Sequence, residues 1–397
     1  MAGPLDGVTI IDCTTVVLGP WASQQLGDLG ANIIKIEPPE GDSARQVGPS
    51  KSPNMASLFL GSNRNKRSVV LDLKQKAGIE TLYKLAEKAD VLMHNLRPDP
   101  AARLGVQYPA LEKINPRLIY VAAYGYRAAG PMGDKPAYDD IIQAAAGLAH
   151  LQTAVAGEPR YVPTIVADKT GSNAVVTAIL AALYEREKSG RGQAVEVTMF
   201  EALVSYVMAE HLYGAVFLPQ ENPAGYTRVL HRERRPFPTL DGFIALTPYT
   251  DANWRELCNL VGRLDILQDP CFASLAVRIN NVATVNAKLG EICATRTTAE
   301  WMALLKDTNV PHGPVNSLDD LLTDEQLLAT DFWKEFDHPT EGRIRSPDVA
   351  STFSRTPGSI RRLQPRLGEH SVEVLSEIGL DAGEIAALLA SGVTRKP

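Results

Sequence analysis

Short apolar runs rich in β-branched residues alternate with stretches of helical periodicity through the first 150 residues. Residues 8–11, 32–36, 68–73, 90–94 and 118–123 read as strands, and residues 21–29, 77–88 and 138–151 as helices. Strands that are apolar on both faces need cover on both faces. The alternation therefore predicts a parallel sheet with helices packed on each side. Ligands of such sheets gather beyond the carboxyl ends of the strands, so chemistry is expected there. At 397 residues the chain exceeds what a single core usually holds, and two domains are expected.

The character of the chain changes near Pro219. From there to Pro238 it is rich in proline and carries a basic cluster, Arg228, His231, Arg232, Arg234 and Arg235, which reads as a linker or crossing loop. Asp241-Gly242 opens a smaller unit with a strand at 243–246 and helices near 253–261, 282–295 and 299–307. The boundaries predicted are 1–218 for the first part of a large domain, 219–335 for linker and small domain, and 336–397 for a C-terminal segment. In that segment Asp381 precedes Glu384 by three residues ahead of an apolar run, the signature of a capping box.

Charge and composition exclude several classes. The net charge of −6 and a pI near 5.7 oppose general affinity for nucleic acid or anionic membranes, so a polyanionic ligand has to be met by a local basic patch. The four cysteines, Cys13, Cys258, Cys271 and Cys293, show no metal-ligand spacing and read as buried reduced thiols, and the seven histidines form no metal-binding pair. The N-terminus lacks a secretion pattern and no apolar stretch is long enough to span a bilayer, so a cytoplasmic enzyme without metal is expected.

Asp168 is the acid whose placement is most suggestive. An extended apolar stretch from Tyr161 to Ala167 stops at this carboxylate, and the helical pattern of residues 173–188 follows. A carboxylate at such a junction faces helix N-terminal amides, which hold it ionised. Both a plain helix cap and a catalytic nucleophile fit that position.

Other stretches carry a resemblance. Val17-Leu18-Gly19-Pro20, Leu26 to Glu37 with Gly41-Asp42, Asn63 to Leu73, Asn95-Leu96-Arg97-Pro98, Pro136 to Asp140, the Asp168 segment and Leu367 to His370 match, in order and spacing, the class III (CaiB/BaiF-type) acyl-CoA transferases. The resemblance spans nearly the whole chain. It implies an α/β protein with a Rossmann-like large domain, a parallel sheet and a smaller α/β domain, with the tail packed back on the first domain and two ring-like chains interlocked as a homodimer. It also implies coenzyme A and acyl-CoA as substrates rather than tightly bound cofactors, and a small carboxylic acid as the other partner.

Transfer of CoA requires exchange of a thioester's acyl partner without water intervening. A carboxylate nucleophile achieves this through a mixed anhydride and then an enzyme-bound thioester. By the resemblance that nucleophile is Asp168. Asp139 holds the place of a second active-site acid, and backbone amides around Gly19 are placed as oxyanion donors, although a tight turn at Gly19-Pro20 accounts for the same residues. The CoA cradle carried over comprises Lys74, Asn95, Leu96, Arg103 and Tyr138, with Lys74 and Asn95 just past predicted strands.

Departures narrow the substrate. Formyl-CoA transferases carry Gln where this chain has Val17, and a glycine run in the small domain where it has residues 235–242, Arg-Pro-Phe-Pro-Thr-Leu-Asp-Gly. Oxalate is thus disfavoured, and a larger acid with a second carboxylate for an arginine suits the linker, succinyl-CoA being the donor expected. The related α-methylacyl-CoA racemases have Gly-His-Asp where this chain has Ala137-Tyr138-Asp139. A racemase-like isomerase and a non-catalytic CoA-binding module stay open as alternatives, whereas a dehydrogenase is opposed by Asp12-Cys13-Thr14-Thr15 where its glycine fingerprint would stand.

Overall fold

Six parallel strands make the centre of the larger of two units: β1 (Thr9–Cys13), β2 (Asn32–Glu37), β3 (Lys66–Val70), β4 (Val91–His94), β5 (Ile119–Tyr124) and β6 (Ala194–Thr198). Their order across the sheet is β3-β2-β1-β4-β5-β6. The computed structural model describes residues 3–397, and the larger unit takes in residues up to 146, 162–206 and 326–397. β1 to β5 are buried nearly throughout, as strands covered on both faces are, although β2 and β3 carry Lys35, Glu37, Lys66 and Arg67 into that interior. β6 alternates exposed and half-buried positions at the sheet edge up to Val197 before ending on buried Thr198, which is why no apolar run marks it in the sequence.

Helix Lys76–Lys88 buries Leu82, Leu85 and Ala86, one stripe at helical spacing, against a core that holds Ile11, Ile34 and Leu92 of the sheet. Val374 and Leu375 of helix Ser371–Glu377 and Ile385 and Leu388 of helix Ala382–Ala390 complete that core. Each such fully buried aliphatic side chain contributes about 1.5–3 kcal/mol. The capping box expected at Asp381 and Glu384 is present in both directions. Helix Leu18–Asp28 and the 24-residue helix Val166–Ser189 pack on each other.

Two expectations about local structure fail, each for a visible reason. The helical pattern of residues 138–151 is broken at Gly147, which adopts φ +81° between helices Asp139–Ala145 and Leu148–Leu151. The apolar stretch before Asp168 is not a strand: the Gln143 side chain accepts from the Val162 amide at 2.9 Å and donates to the Val162 and Thr164 carbonyls at 3.3 Å each. An amide side chain stands where a neighbouring strand would be. The helix then starts at Val166, seven residues before the expected position, so Asp168 lies within its first turn.

The smaller unit comprises residues 147–161 and 207–325. Its antiparallel sheet pairs Phe237–Pro238 and His312–Pro314 with the central strand Phe243–Leu246. Helices Asp251–Val261, Val282–Cys293 and Thr298–Leu305 enclose Ile244, Leu257, Trp254 and Trp301 in its core, and the Trp301 indole N–H is satisfied by the Cys293 carbonyl at 2.8 Å. All four cysteines are free, with Cys271 the one not fully buried. Among the described residues no helix is long and apolar enough to cross a membrane.

Candidate functional site

The strand order reverses direction between β1 and β4, and the segment that leaves β1 there is held by an unusual density of buried charge. Asp12, at the end of β1, accepts from the Thr14 amide and hydroxyl with one oxygen and from Ser23 Oγ and Lys66 Nζ (3.1 Å) with the other. Lys35 Nζ donates to the Thr14 carbonyl and to Asp42 Oδ2, both at 2.9 Å. Asp42 Oδ1 in turn accepts from the Val16 amide at 3.0 Å. Glu37 and Arg45 form a bidentate pair at 2.7 Å behind Asp42, whose own amide bonds Glu37.

Burial alone would neutralise these groups, so pairing has to compensate. Lys66 and Lys35 hold Asp12 well below the usual carboxylate range despite its burial, and burial lowers the Lys66 ammonium to about 8. Val16 is thereby fixed at φ +70°, a costly conformation for a β-branched residue, at about 1–3 kcal/mol. Gly19 follows as the second residue of helix Leu18–Asp28, where an added Cβ would lie 2.2 Å from the Thr14 side chain. Only glycine fits.

Asp168 meets this turn. Its Oδ1 accepts the Leu18 amide at 3.0 Å. Asp12, Asp42, Glu37 and Asp139 have both carboxylate oxygens bonded, whereas Oδ2 of Asp168 has no partner among the described residues. Contrary to the expectation that helix amides would hold it firmly ionised, its pKa is raised to about 6, by burial first and by the Asp139 charge second, with the Leu18 amide opposing. It remains mostly a carboxylate at neutral pH, and a basic one.

Asp139, buried at the start of helix Asp139–Ala145, accepts the Ala167 amide and the Gln143 side chain, both at 2.7 Å. It caps the helix that carries Asp168 rather than its own. Asn95 clasps the same turn from the β4 side, accepting from the Thr15 amide at 3.1 Å and donating to the Thr15 carbonyl at 2.9 Å. Asp168, Asp139, Gly19 and Asn95 are thus brought together around one turn.

The remaining candidates lie farther out on the same edge of the sheet. Leu96 is half-buried, its amide on Nδ1 of His94 at 3.2 Å. With Nδ1 accepting, Nε2 donates to the Tyr120 hydroxyl at 2.6 Å, and burial lowers the imidazole to about 4, so His94 is neutral. Lys74 and Arg103 are exposed, one in the turn after β3 and one on helix Pro98–Leu104, and neither carries an ion pair among the described residues. Three strand spacings, about 14 Å, separate β3 from β4. Tyr138 is 70% exposed at the start of the Asp139 helix.

Sequence reasoning passed over the ionic frame of Asp12, Lys35, Asp42 and Lys66. Lysines set among β-branched residues in β2 and at the start of β3 were the signal, because a buried cation needs an acid nearby. Gln143 gave none.

The family model of CoA-transferase family III matches residues 5–371. Succinyl-CoA:glutarate CoA-transferase of Mus musculus is 31% identical over 395 residues, 98% of this chain and 90% of that protein. The beta subunit of succinyl-CoA–L-malate CoA-transferase of Chloroflexus aurantiacus is 32% identical over 386 residues, 94% of each. Among solved structures, Rv3272 from Mycobacterium tuberculosis superimposes with a TM-score of 0.82 at 30% identity, covering 94% of this chain and 99% of that one. A CAIB/BAIF family protein from Brucella suis gives 0.80 at 28%, covering 95% and 100%.

Proposed function

The chain belongs to CoA-transferase family III, and from that premise we propose that it moves coenzyme A from succinyl-CoA to a free dicarboxylic acid, with Asp168 as nucleophile. The free Oδ2 of Asp168, beside a second oxygen fixed on the Leu18 amide, is the observation that carries this reading. Relatives named for succinyl-CoA, glutarate and malate support the choice of substrates.

Asp168 Oδ2 attacks the thioester carbonyl, and loss of the CoA thiolate leaves a mixed anhydride. The thiolate then attacks the aspartyl carbonyl, releasing succinate and forming an aspartyl-CoA thioester. An acceptor carboxylate displaces the thiolate to give a second anhydride, whose acyl carbonyl takes the thiolate back. Asp168 is regenerated and no atom is gained or lost. Every attack develops negative charge on a carbonyl oxygen, and the Gly19 amide, unpaired among the described residues, is aimed from a helix start as its donor. Asp139 acts as a positioning residue, holding the first turn of the Asp168 helix and raising the basicity of the nucleophile. Lys74 and Arg103 meet CoA phosphates, Tyr138 and Leu96 its less polar parts, and Asn95 works through the Thr15 turn.

We further propose a cytoplasmic homodimer of ring-like, interlocked chains. Large exposed apolar side chains in each unit support a partner: Tyr184 at 66% and Tyr206 at 64% in the larger, Leu218 at 93% and Leu318 at 85% in the smaller.

Incubation with succinyl-CoA followed by hydroxylamine is expected to convert Asp168 to its hydroxamate, read as a peptide mass change, and Asp168→Ala to abolish transfer while CoA still binds. Transfer by Asp168→Ala near the wild-type rate would refute the mechanism.

A further inference from the structure

The smaller unit contains a cavity of about 430 Å³, within the range of small-molecule sites. Phe237, Leu246, Trp254, Ile279, Val282 and Leu289 give it apolar walls. Four arginines line it as well: Arg228, Arg234, Arg235 and Arg278. In a chain of net charge −6, four guanidiniums around one apolar cavity are not part of a generally positive surface.

Two of the four are already spent. Arg278 is buried and donates to the Phe272 carbonyl at 3.0 Å, the Tyr249 carbonyl at 3.2 Å and Asp251 at 2.6 Å, so it braces the wall. Arg235 pairs with Glu233 at 3.3 Å. Arg228 and Arg234 differ. Among the described residues no carboxylate lies within 4 Å of either, and Arg228 is only steadied by the Tyr249 ring, 5.5 Å from its centroid. An unpaired guanidinium at an apolar mouth favours an anion with an apolar body: the head gains charge-assisted hydrogen bonds and the body leaves water.

We propose that this cavity binds an amphipathic carboxylate, its head on Arg228 and Arg234 and its aliphatic or aryl body between the apolar walls. Nothing in this depends on Asp168. The acid is either a substrate of the transfer or a separate effector, two sources with one chemistry.

Titration calorimetry of the full chain with octanoate, and with octanamide as its uncharged counterpart, tests the site. Octanoate is expected to bind wild type and Asp168→Asn with equal Kd, and octanamide at least tenfold more weakly. The Arg228→Ala/Arg234→Ala double variant should lose roughly ten- to a hundredfold in octanoate affinity with its melting temperature unchanged, since neither side chain holds a structural ion pair. Ala245→Trp, from an exposed position on the cavity wall, should block the site by filling it. Absence of octanoate binding to wild type, equal binding of octanamide, or an unchanged Kd in the double variant overturns the proposal. Competition between octanoate and the acceptor acid in transfer assays assigns the pocket to a substrate, and non-competitive behaviour assigns it to an effector. A silent Asp168→Asn that still binds octanoate separates this site from the proposed nucleophile.

Discussion

At the scale of single residues, the ionisation of Asp168 bears on stability and, through its proposed role as nucleophile, on rate. Attack requires the carboxylate, so the transfer rate at limiting substrate is expected to fall tenfold per pH unit below about 6, where the raised pKa lies. A profile flat down to pH 5 would separate the rate from this group. The same shift has a stability consequence of known sign. The folded pKa of about 6 exceeds the usual 3.8, so the folded chain holds the proton more tightly and loses stability as pH rises through that interval. Asp168→Asn, which keeps an oxygen for the Leu18 amide but cannot ionise, should gain stability over wild type by about 1–2 kcal/mol above pH 7, a partly exposed side chain experiencing less than the full effect. That gain should vanish toward pH 4, as followed by urea denaturation.

At the scale of elements, the turn from β1 into helix Leu18–Asp28 concentrates strain and buried charge around the amide that receives Asp168. Gly19→Ala places a methyl group 2.2 Å from the Thr14 side chain, which Asp12 holds in place. Overpacking of this kind costs about 1–3 kcal/mol. Because the displaced backbone carries the Leu18 and Gly19 amides, kcat is expected to fall at least tenfold while KM for the acyl-CoA changes little. Initial-rate kinetics alongside thermal melting would show the split, and full kcat in a folded Gly19→Ala would remove these amides from the mechanism.

At the scale of the whole molecule, the proposed homodimer would give exposed Tyr184, Tyr206, Leu218 and Leu318 a partner surface to cover them. Light scattering at micromolar concentration is expected to give twice the 43.0 kDa chain mass. A monomer carrying full activity would discard the interlocked arrangement.

The parallel sheet was determined by sequence alone, since buried β-branched runs such as residues 32–36 and 118–123, separated by helical periodicity, leave a polypeptide few other ways to satisfy both faces. That Asp168 would meet the turn carrying Gly19 and Asn95 was legible through resemblance. Its chemistry was not. The proton affinity of Asp168 depends on Asp139 and on burial, two influences that arrive from 29 residues away and from the packing of a helix that begins at Val166 instead of after the carboxylate. Likewise, Lys35, Asp42 and Asp12 are ordinary letters along the chain, and become a frame for Val16 only when β1 and β2 lie side by side with their carboxyl ends together. Local periodicity reports which face of an element is apolar; Coulomb and desolvation energies depend on distances through space, and those only the tertiary structure sets.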